Sequence, residues 1–379
     1  MTPYPFEKND WPTLGVEIEL QLVDAQTMAL RNAFPEIQAQ LTEDQRVHIK
    51  PELMQSYLEI NTNVCRRVAD VEADLKSKIA LVEQLAERVG VRLFWAGTHP
   101  FSPWSNQEIT PNERYLGLVK MLADTARRLV TFGLHVHVGV NSGDKAVMVC
   151  DRLMRHLPTL LALSANSPFW GGRNTGLHSQ RIKIIEGLPT AGLPPLMRNW
   201  SEYVWLVNQM IETGFIQTIR EIWWDVRPHH NFGTVEVRIC DIPTDLSSVL
   251  ALTALIQCLV HELSEQIDQG TYQFDCHPML VRLNKWLACR YGPKATLVDP
   301  FTHEREPLPL VARNLVRLLR HRADELGCTF YLEHILNMTE QPTGSERQLA
   351  IFEETDDLAE VVRRMVKEQS VLETTTVAS

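Results

Sequence analysis

The stretch at positions 13–23, TLGVEIELQLV, decides the fold because apolar and polar residues alternate along it. Alternation with a period of two is typical of a β-strand that buries one face. The leucine, valine and isoleucine side chains share that face, so Glu17 and Glu19 project together from the other one. The sequence therefore predicts a strand with two carboxylates on its polar side.

Two further stretches repeat this design. FGLHVHVGV at 132–140 puts His135 and His137 on one face, and GTVEVRICDI at 233–242 does the same for Glu236 and Arg238. One such strand alone would fit the solvated face of an antiparallel sheet. Three strands whose polar pairs are all potential metal ligands or phosphate binders favour a functional cavity instead, because titratable groups are costly on a face that is not wet.

Two more carboxylates, Glu52 and Glu59, lie in PELMQSYLEINT at 51–62. Several carboxylates with one or two imidazoles form a ligand set for Mg²⁺ or Mn²⁺ rather than for structural zinc. Without a cation, such carboxylates would raise one another's pKa and repel an anionic substrate. We therefore expect a divalent metal site that binds phosphate.

Composition excludes several functional classes. The chain has 379 residues and a formal net charge of -10, so it lacks the basic surface that nucleic-acid binding needs. The seven cysteines form no C-x-x-C pair, which indicates a reducing compartment without a disulfide framework. The N-terminus has no signal-peptide pattern, and the longest apolar run, 249–260, suits a buried helix better than a membrane span. A cytoplasmic protein is expected.

Common catalytic motifs are missing from the sequence. It contains no P-loop, no Rossmann glycine pattern, no H-E-x-x-H and no G-x-S-x-G. Phosphate or carboxylate would then be bound by arginines, which pair with these groups through two parallel hydrogen bonds. The candidates are Arg114, Arg173, Arg181, Arg227 and Arg347.

Helical periodicity predicts helices over 68–89, 145–163 and 246–267, the first of them capped by Gly90. The segment 164–200 has no sustained period, yet it contains apolar residues that are unusual in a solvated linker. We interpret it as an active-site lid rather than as a linker between two domains.

Several motifs resemble those of one family: TLGVEIELQLVD, ELMQSYLEINTNVC, AGTHPF, NERY, FGLHVHVGV, ALSANSPFWGGRNTG, LPTAGLPP, WWDVRPHHNFGTVEVRICDIPTDL and ACRYG, with a looser match at GSERQL. They are similar to motifs of the bacterial carboxylate-amine ligases of the glutamate-cysteine ligase type 2 family, whose catalytic core is similar to that of glutamine synthetase. The resemblance implies an α+β fold, in which an antiparallel sheet lined with metal-binding residues is flanked by helices. It also implies a single catalytic domain over 1–369. The Ser/Thr-rich composition of 370–379 predicts a disordered tail.

The resemblance assigns roles to individual residues. Arg238 and Glu59 are predicted to be catalytic. The implied metal ligands are Glu17, Glu19, Glu52, Glu59, His135 and Glu236. The implied nucleotide contacts are His137, Arg238 and Arg347, and the substrate is expected to contact Arg114, Arg181 and Arg227.

The sequence thus predicts a ligase that uses ATP and Mg²⁺ (or Mn²⁺) to phosphorylate a carboxylate, which an amine then converts into an amide. Glutamate and cysteine are the default substrates, and a homodimer is expected. Two alternatives stay open: a phosphotransferase of the guanidino-kinase type, and a sensor that binds nucleotide or metal without turnover.

Overall fold

A computed structural model describes residues 4–271 and 276–369, so the tail predicted at 370–379 lies outside the described residues. The centre of the fold is a seven-stranded antiparallel sheet. Its strands are β1 (Leu14–Asp24), β2 (Ile49–Pro51), β3 (Tyr57–Asn61), β4 (Val91–Phe94), β5 (Gly133–Gly139), β6 (Val226–His229) and β7 (Thr234–Asp241). The predicted α+β fold with an antiparallel sheet is confirmed.

The strand order across the sheet is β6-β7-β5-β1-β3-β2, and β4 pairs with the end of β1. In an antiparallel pair, residues directly opposite each other point to the same face. The register therefore brings the polar pairs of separate strands together on one face: Glu17 opposite His135, His137 opposite Glu236, and Glu19 opposite Glu59.

Helices surround the sheet. Within the described residues they are α1 (Phe34–Gln38), α2 (Glu43–Arg46), α3 (Val68–Arg88), α4 (Glu113–Leu122), α5 (Asp124–Arg127), α6 (Gly143–Leu153), α7 (Leu157–Ser164), α8 (Gln180–Ile185), α9 (Trp200–Glu212), α10 (Leu246–Asp268), α11 (Pro278–Tyr291), α12 (Leu308–Leu326), α13 (Thr329–Glu340), α14 (Gly344–Thr355) and α15 (Leu358–Gln369). Short strand pairs join 169–170 to 173–174, 191–192 to 223–224, and 296–298 to 305–307.

The apolar face of the sheet forms the core together with these helices. Val16, Ile18 and Val136 are at most 1% exposed, and α3, α6, α7 and α10 pack against the sheet strands. Helix α10 is long and apolar enough to cross a membrane by length and composition, but 78% of its most apolar window is buried inside the protein. It is therefore the central helix of the core, as the sequence predicts.

One predicted helix was wrong in its extent. The helix expected over 145–163 is divided into α6 and α7, with a 3₁₀ turn at Met154–His156 between them. Pro158 lies in the first turn of α7, where its missing N–H is tolerated; inside a continuous helix it would remove a hydrogen bond. Gly90 does follow α3 with a φ of 74°, as its predicted capping role requires.

The segment 164–200 is packed onto the sheet rather than solvated. Phe169 and Ile182 are at most 1% exposed. The buried carboxylate of Asp241, at the end of β7, accepts hydrogen bonds from the Ser167 hydroxyl (2.6 Å) and the Ser179 hydroxyl (2.8 Å). These contacts exclude a free linker, and closure of the segment as a lid stays a prediction.

Candidate active site

A cavity of about 600 Å³ lies over the polar face of the sheet. Among the described residues, its lining includes eleven predicted site residues: Glu17, Glu19, Glu52, Glu59, Arg114, His135, His137, Arg181, Arg227, Glu236 and Arg238. It includes neither Arg347 nor the candidate Arg173, which is exposed on the short strand at 173–174. Residues from β1, β3, β5, β6 and β7 thus meet in one place because their strands are neighbours in the sheet.

Glu17 is at the centre of this arrangement. One of its carboxylate oxygens lies 3.3 Å from Nδ1 of His135, and the other lies 3.6 Å from Nε2 of His137. Two groups of potential ligand atoms result, each with its atoms within 4.8 Å of one another: Glu17, Glu59 and His135, and Glu17, His137 and Glu236. Each group offers two carboxylates and one imidazole.

Four of the glutamates that line the cavity, Glu17, Glu19, Glu52 and Glu59, lie close together. Burial raises the pKa of the Glu59 carboxyl well above its usual value, and the charges of Glu17 and Glu52 raise it further. Burial together with the charge of Glu19 raises the pKa of Glu52 to about 7. The carboxylates therefore repel one another, and a cation among them would relieve that repulsion.

Burial also raises the pKa of Glu17, but hydrogen bonds with His135 and His137 outweigh it and hold that pKa well below its usual value. An oxygen-rich donor set with two imidazoles and no thiolate suits Mg²⁺ or Mn²⁺. The residues present therefore fit the predicted metal.

The observed groups differ from the predicted ligand set in three residues. His137, predicted to contact phosphate, belongs to the second group. Glu19 and Glu52 line the cavity but belong to neither group among the residues the structure describes. Glu19 accepts a hydrogen bond from the backbone N–H of Gly133 at 2.5 Å, which ties β1 to the start of β5.

Glu236, on β7, is held between two arginines. Its carboxylate accepts from Nε of Arg227 at 2.6 Å and from Arg238. Burial raises the pKa of Glu236, but the two guanidinium groups outweigh it and keep that pKa well below the usual value. Arg227 also donates to the carbonyls of Ile219 and Ile222, so the structure favours a positioning role for it over the predicted substrate contact.

The other predicted arginines occupy different environments. Arg114 is exposed, lies over the ring of Tyr115 and lines the cavity. Arg181 is 2% exposed, and it donates to the backbone carbonyls of Arg238 and Ile239 on β7. The structure does not bring Arg347 to the cavity, because on α14 it bonds Thr244 and Glu368.

Some residues at the site were missed by the sequence reasoning. Asp225 lines the cavity, and its buried carboxylate pairs with Lys285 at 2.6 Å. Asp225 stands two residues before Arg227, so strand alternation could have found it. Lys285 comes from α11, 60 residues away, and no local pattern points to it. His229 and Phe232, at the turn between β6 and β7, also line the cavity.

Known proteins resemble this chain over nearly its whole length. The profile of glutamate-cysteine ligase family 2 (GCS2) matches residues 13–368. A protein of Gloeobacter violaceus named "Putative glutamate–cysteine ligase 2" is 44% identical over 360 residues, which are 94% of this chain and 97% of the relative. A protein of Frankia alni named "Putative glutamate–cysteine ligase 2-1" is 42% identical over 375 residues, 97% of each chain.

Solved structures share the fold at low sequence identity. Glutamate–cysteine ligase from Francisella tularensis, solved in complex with AMP, has a TM-score of 0.70 at 12% identity and is matched over 96% of this chain and 90% of its own. A bifunctional glutathione synthetase from Pasteurella multocida also has a TM-score of 0.70, at 14% identity, with coverage of 94% of this chain and 52% of its own. On the sequence match across its length, the chain belongs to glutamate-cysteine ligase family 2 and is a ligase.

Proposed function

We propose that this protein is an ATP- and Mg²⁺-dependent carboxylate-amine ligase that joins glutamate to cysteine through an acyl-phosphate intermediate. The observation that supports it is the convergence of five glutamates, two histidines and Arg238 inside one cavity over the polar face of the sheet. Family membership and the names of the relatives support the ligase class and the substrate pair.

The metal would be held by the two ligand groups that share Glu17. When bound, Mg²⁺ neutralises charge on the phosphates and on the γ-phosphoryl group as it transfers. The protein's own part is to place these ligands rigidly: Glu17 is held by the paired strands β1 and β5, and Glu236 by Arg227. Such preorganised charges stabilise a transition state without reorganising during the reaction.

The chemistry proceeds in two displacements. An oxygen of the substrate carboxylate attacks the γ-phosphorus and ADP leaves, which gives the acyl phosphate. The amine nitrogen then attacks the acyl carbon, phosphate leaves and the nitrogen gives up a proton. Arg238 is only 17% exposed at the cavity wall, where its guanidinium would stabilise the phosphoryl group in both displacements.

The end of the cavity at β2, across the sheet from β6 and β7, suits an anionic acid. Lys50, on β2, and the exposed Arg114 both line this end. Either cation would bind the second carboxylate of the acid, the one that is not phosphorylated.

A homodimer and a cytoplasmic location are part of the same proposal. The seven free cysteines support a reducing compartment.

The test is an isotope experiment with glutamate, cysteine, ATP and Mg²⁺. We expect one ADP and one phosphate for each amide formed, with ¹⁸O moving from labelled carboxylate into phosphate. Arg238→Gln should abolish turnover, while Arg313→Gln, an exposed arginine on α12 outside the cavity lining, should not.

Three outcomes would contradict the proposal. AMP and pyrophosphate would mean that the acid is activated as an adenylate. A stable phosphorylated product without amide would indicate the phosphotransferase alternative. Nucleotide binding without turnover, across a panel of acids and amines, would indicate the sensor.

A further inference from the structure

An exposed aromatic ring stands at one end of the cavity, beside His137. Phe232 is 58% exposed, and it lies in the turn between β6 and β7. Its ring is stacked on that of His229, with centroids 4.2 Å apart and planes at 11°. It also meets the His137 ring edge to face at 5.7 Å. His229 thus covers one face of the phenyl ring, and the exposure of Phe232 leaves the ring open to a further stacking partner.

The turn that carries Phe232 is held in place by the N-terminal segment. The side-chain amide of Asn9 donates to the carbonyl oxygens of Phe232 (2.8 Å) and Gly233 (3.0 Å), and the backbone N–H of Glu7 donates to the carbonyl oxygen of His230 (3.0 Å). Gly233 has a φ of 63°, and a Cβ at this position would collide with the Glu7 carbonyl. The phenyl ring is therefore presented on a fixed backbone rather than on a loose loop.

His229 supplies a second feature that points to a ligand. The residue is 8% exposed and lines the cavity, yet its Nδ1 has no hydrogen-bond partner within the described parts of the chain. A buried polar atom without a partner is costly and is usually satisfied by a ligand or water. The exposed phenyl ring thus stacks on a buried imidazole whose Nδ1 is unpaired among the described residues.

The order of strands fixes what this end of the cavity faces. His229 and Phe232 belong to the β6–β7 edge of the sheet, the two ligand groups centred on Glu17 lie in the middle strands, and Lys50 lies at the opposite edge on β2. A nucleotide whose phosphates reach the middle strands from the β6–β7 edge would leave its base at Phe232. The acid would then approach from the side of Lys50.

We propose that Phe232, backed by His229, is the stacking platform for the purine base of the nucleotide; this rests on the ATP dependence of the proposed function. Aromatic rings stack on any base, because every base has a π face. Stacking on a ring that is already fixed also requires little ordering of the protein.

The experiment compares a nucleotide with a ligand that has the phosphates but no base. Calorimetry measures the binding of ATP and of inorganic tripolyphosphate, each with Mg²⁺, to the full chain with no acid or amine present. Phe232→Ala should weaken ATP binding about tenfold, about 1.4 kcal/mol, and leave tripolyphosphate binding unchanged. Phe232→Trp keeps a ring and should bind ATP like the wild type. Phe330→Ala is the matched control, because Phe330 is 81% exposed on α13 and does not line the cavity.

Several results would overturn the inference. Equal ATP affinity in Phe232→Ala and wild type would remove Phe232 from the base site. An equal loss for ATP and tripolyphosphate would show that the substitution disturbs the phosphate site instead. An ATP-specific loss in Trp223→Ala but not in Phe232→Ala would place the base at another wall of the cavity. Failure of the wild type to bind ATP would refute the proposed function as well, whereas ATP binding without amide synthesis would refute the proposed function alone.

Discussion

Replacing Lys285 by methionine should destabilise the protein strongly, because it leaves a buried carboxylate without its cation. The Lys285 ammonium lies 2.6 Å from Oδ2 of Asp225 and 2.8 Å from Oε1 of Glu186. The side chains of Lys285 and Asp225 are each 2% exposed, whereas that of Glu186 is 31% exposed. Water can therefore solvate Glu186 after the substitution, whereas the carboxylate of Asp225 stays almost wholly buried at the cavity wall.

The size of the effect follows from this burial. Removing one partner of a buried ion pair costs about 3–5 kcal/mol, because the remaining charge stays in the interior. Methionine keeps most of the apolar stem of lysine, so little of the loss would come from packing. The backbone carbonyl of Asp225 also accepts from the Arg238 N–H at 2.8 Å, so a shift of Asp225 would disturb Arg238 and lower turnover.

Denaturant unfolding followed by circular dichroism measures the free energy of unfolding. The matched control is Lys145→Met: this lysine is also buried and pairs with Asp268 at 2.7 Å, but Asp268 is 53% exposed. The carboxylate of Asp268 can return to water, so we expect Lys145→Met to lower the free energy of unfolding by about 1 kcal/mol or less. In the double variant Lys285→Met/Asp225→Asn, removal of the orphaned charge should restore about 2 kcal/mol relative to Lys285→Met. Equal losses in the two lysine variants, or no recovery in the double variant, would refute this reasoning.

Three further predictions concern the site and the thiols. Glu17→Gln should remove Mg²⁺ binding in calorimetry and abolish ATP turnover with the fold retained, since Glu17 belongs to both ligand groups; wild-type turnover would contradict it. His135→Ala and His137→Ala should each weaken the response to metal, since each imidazole belongs to one of the two ligand groups; a defect in His137→Ala that is confined to the KM for ATP would assign His137 to the phosphates instead. The sulfur atoms of Cys258 and Cys328 lie 3.6 Å apart, in hydrogen-bond contact and without a disulfide, so activity should be unchanged by mild reductant and in the double serine variant; loss of activity under reductant would show dependence on a disulfide.

Local sequence determined which residues share a face. The period of two along β1, β5 and β7 is set by the backbone of each strand alone, so Glu17 with Glu19 and His135 with His137 could be paired without knowledge of the fold. The same holds for the core helix α10, whose apolar run predicts its burial. The motifs also identified the family, because their residues and order extend over most of the chain.

Sequence patterns could not predict long-range contacts in segments that have no regular period. The segment 164–200 has no repeat, so nothing local shows that Ser167 and Ser179 meet at Asp241, which lies more than 60 residues farther along. The motif resemblance predicts a nucleotide contact for Arg347. Its actual contacts depend on how α14 packs against its neighbours, and there it pairs with Glu368.

Only the tertiary structure decided which faces meet. Strand register pairs residues that are distant in sequence, and it alone puts His137 opposite Glu236 and into a ligand group with Glu17. Lys285 illustrates the same point, because its partner Asp225 is chosen by the docking of α11 and not by any spacing along the chain. The physical reason is that alternation is a property of one strand, whereas the distance between two side chains depends on how separate elements pack.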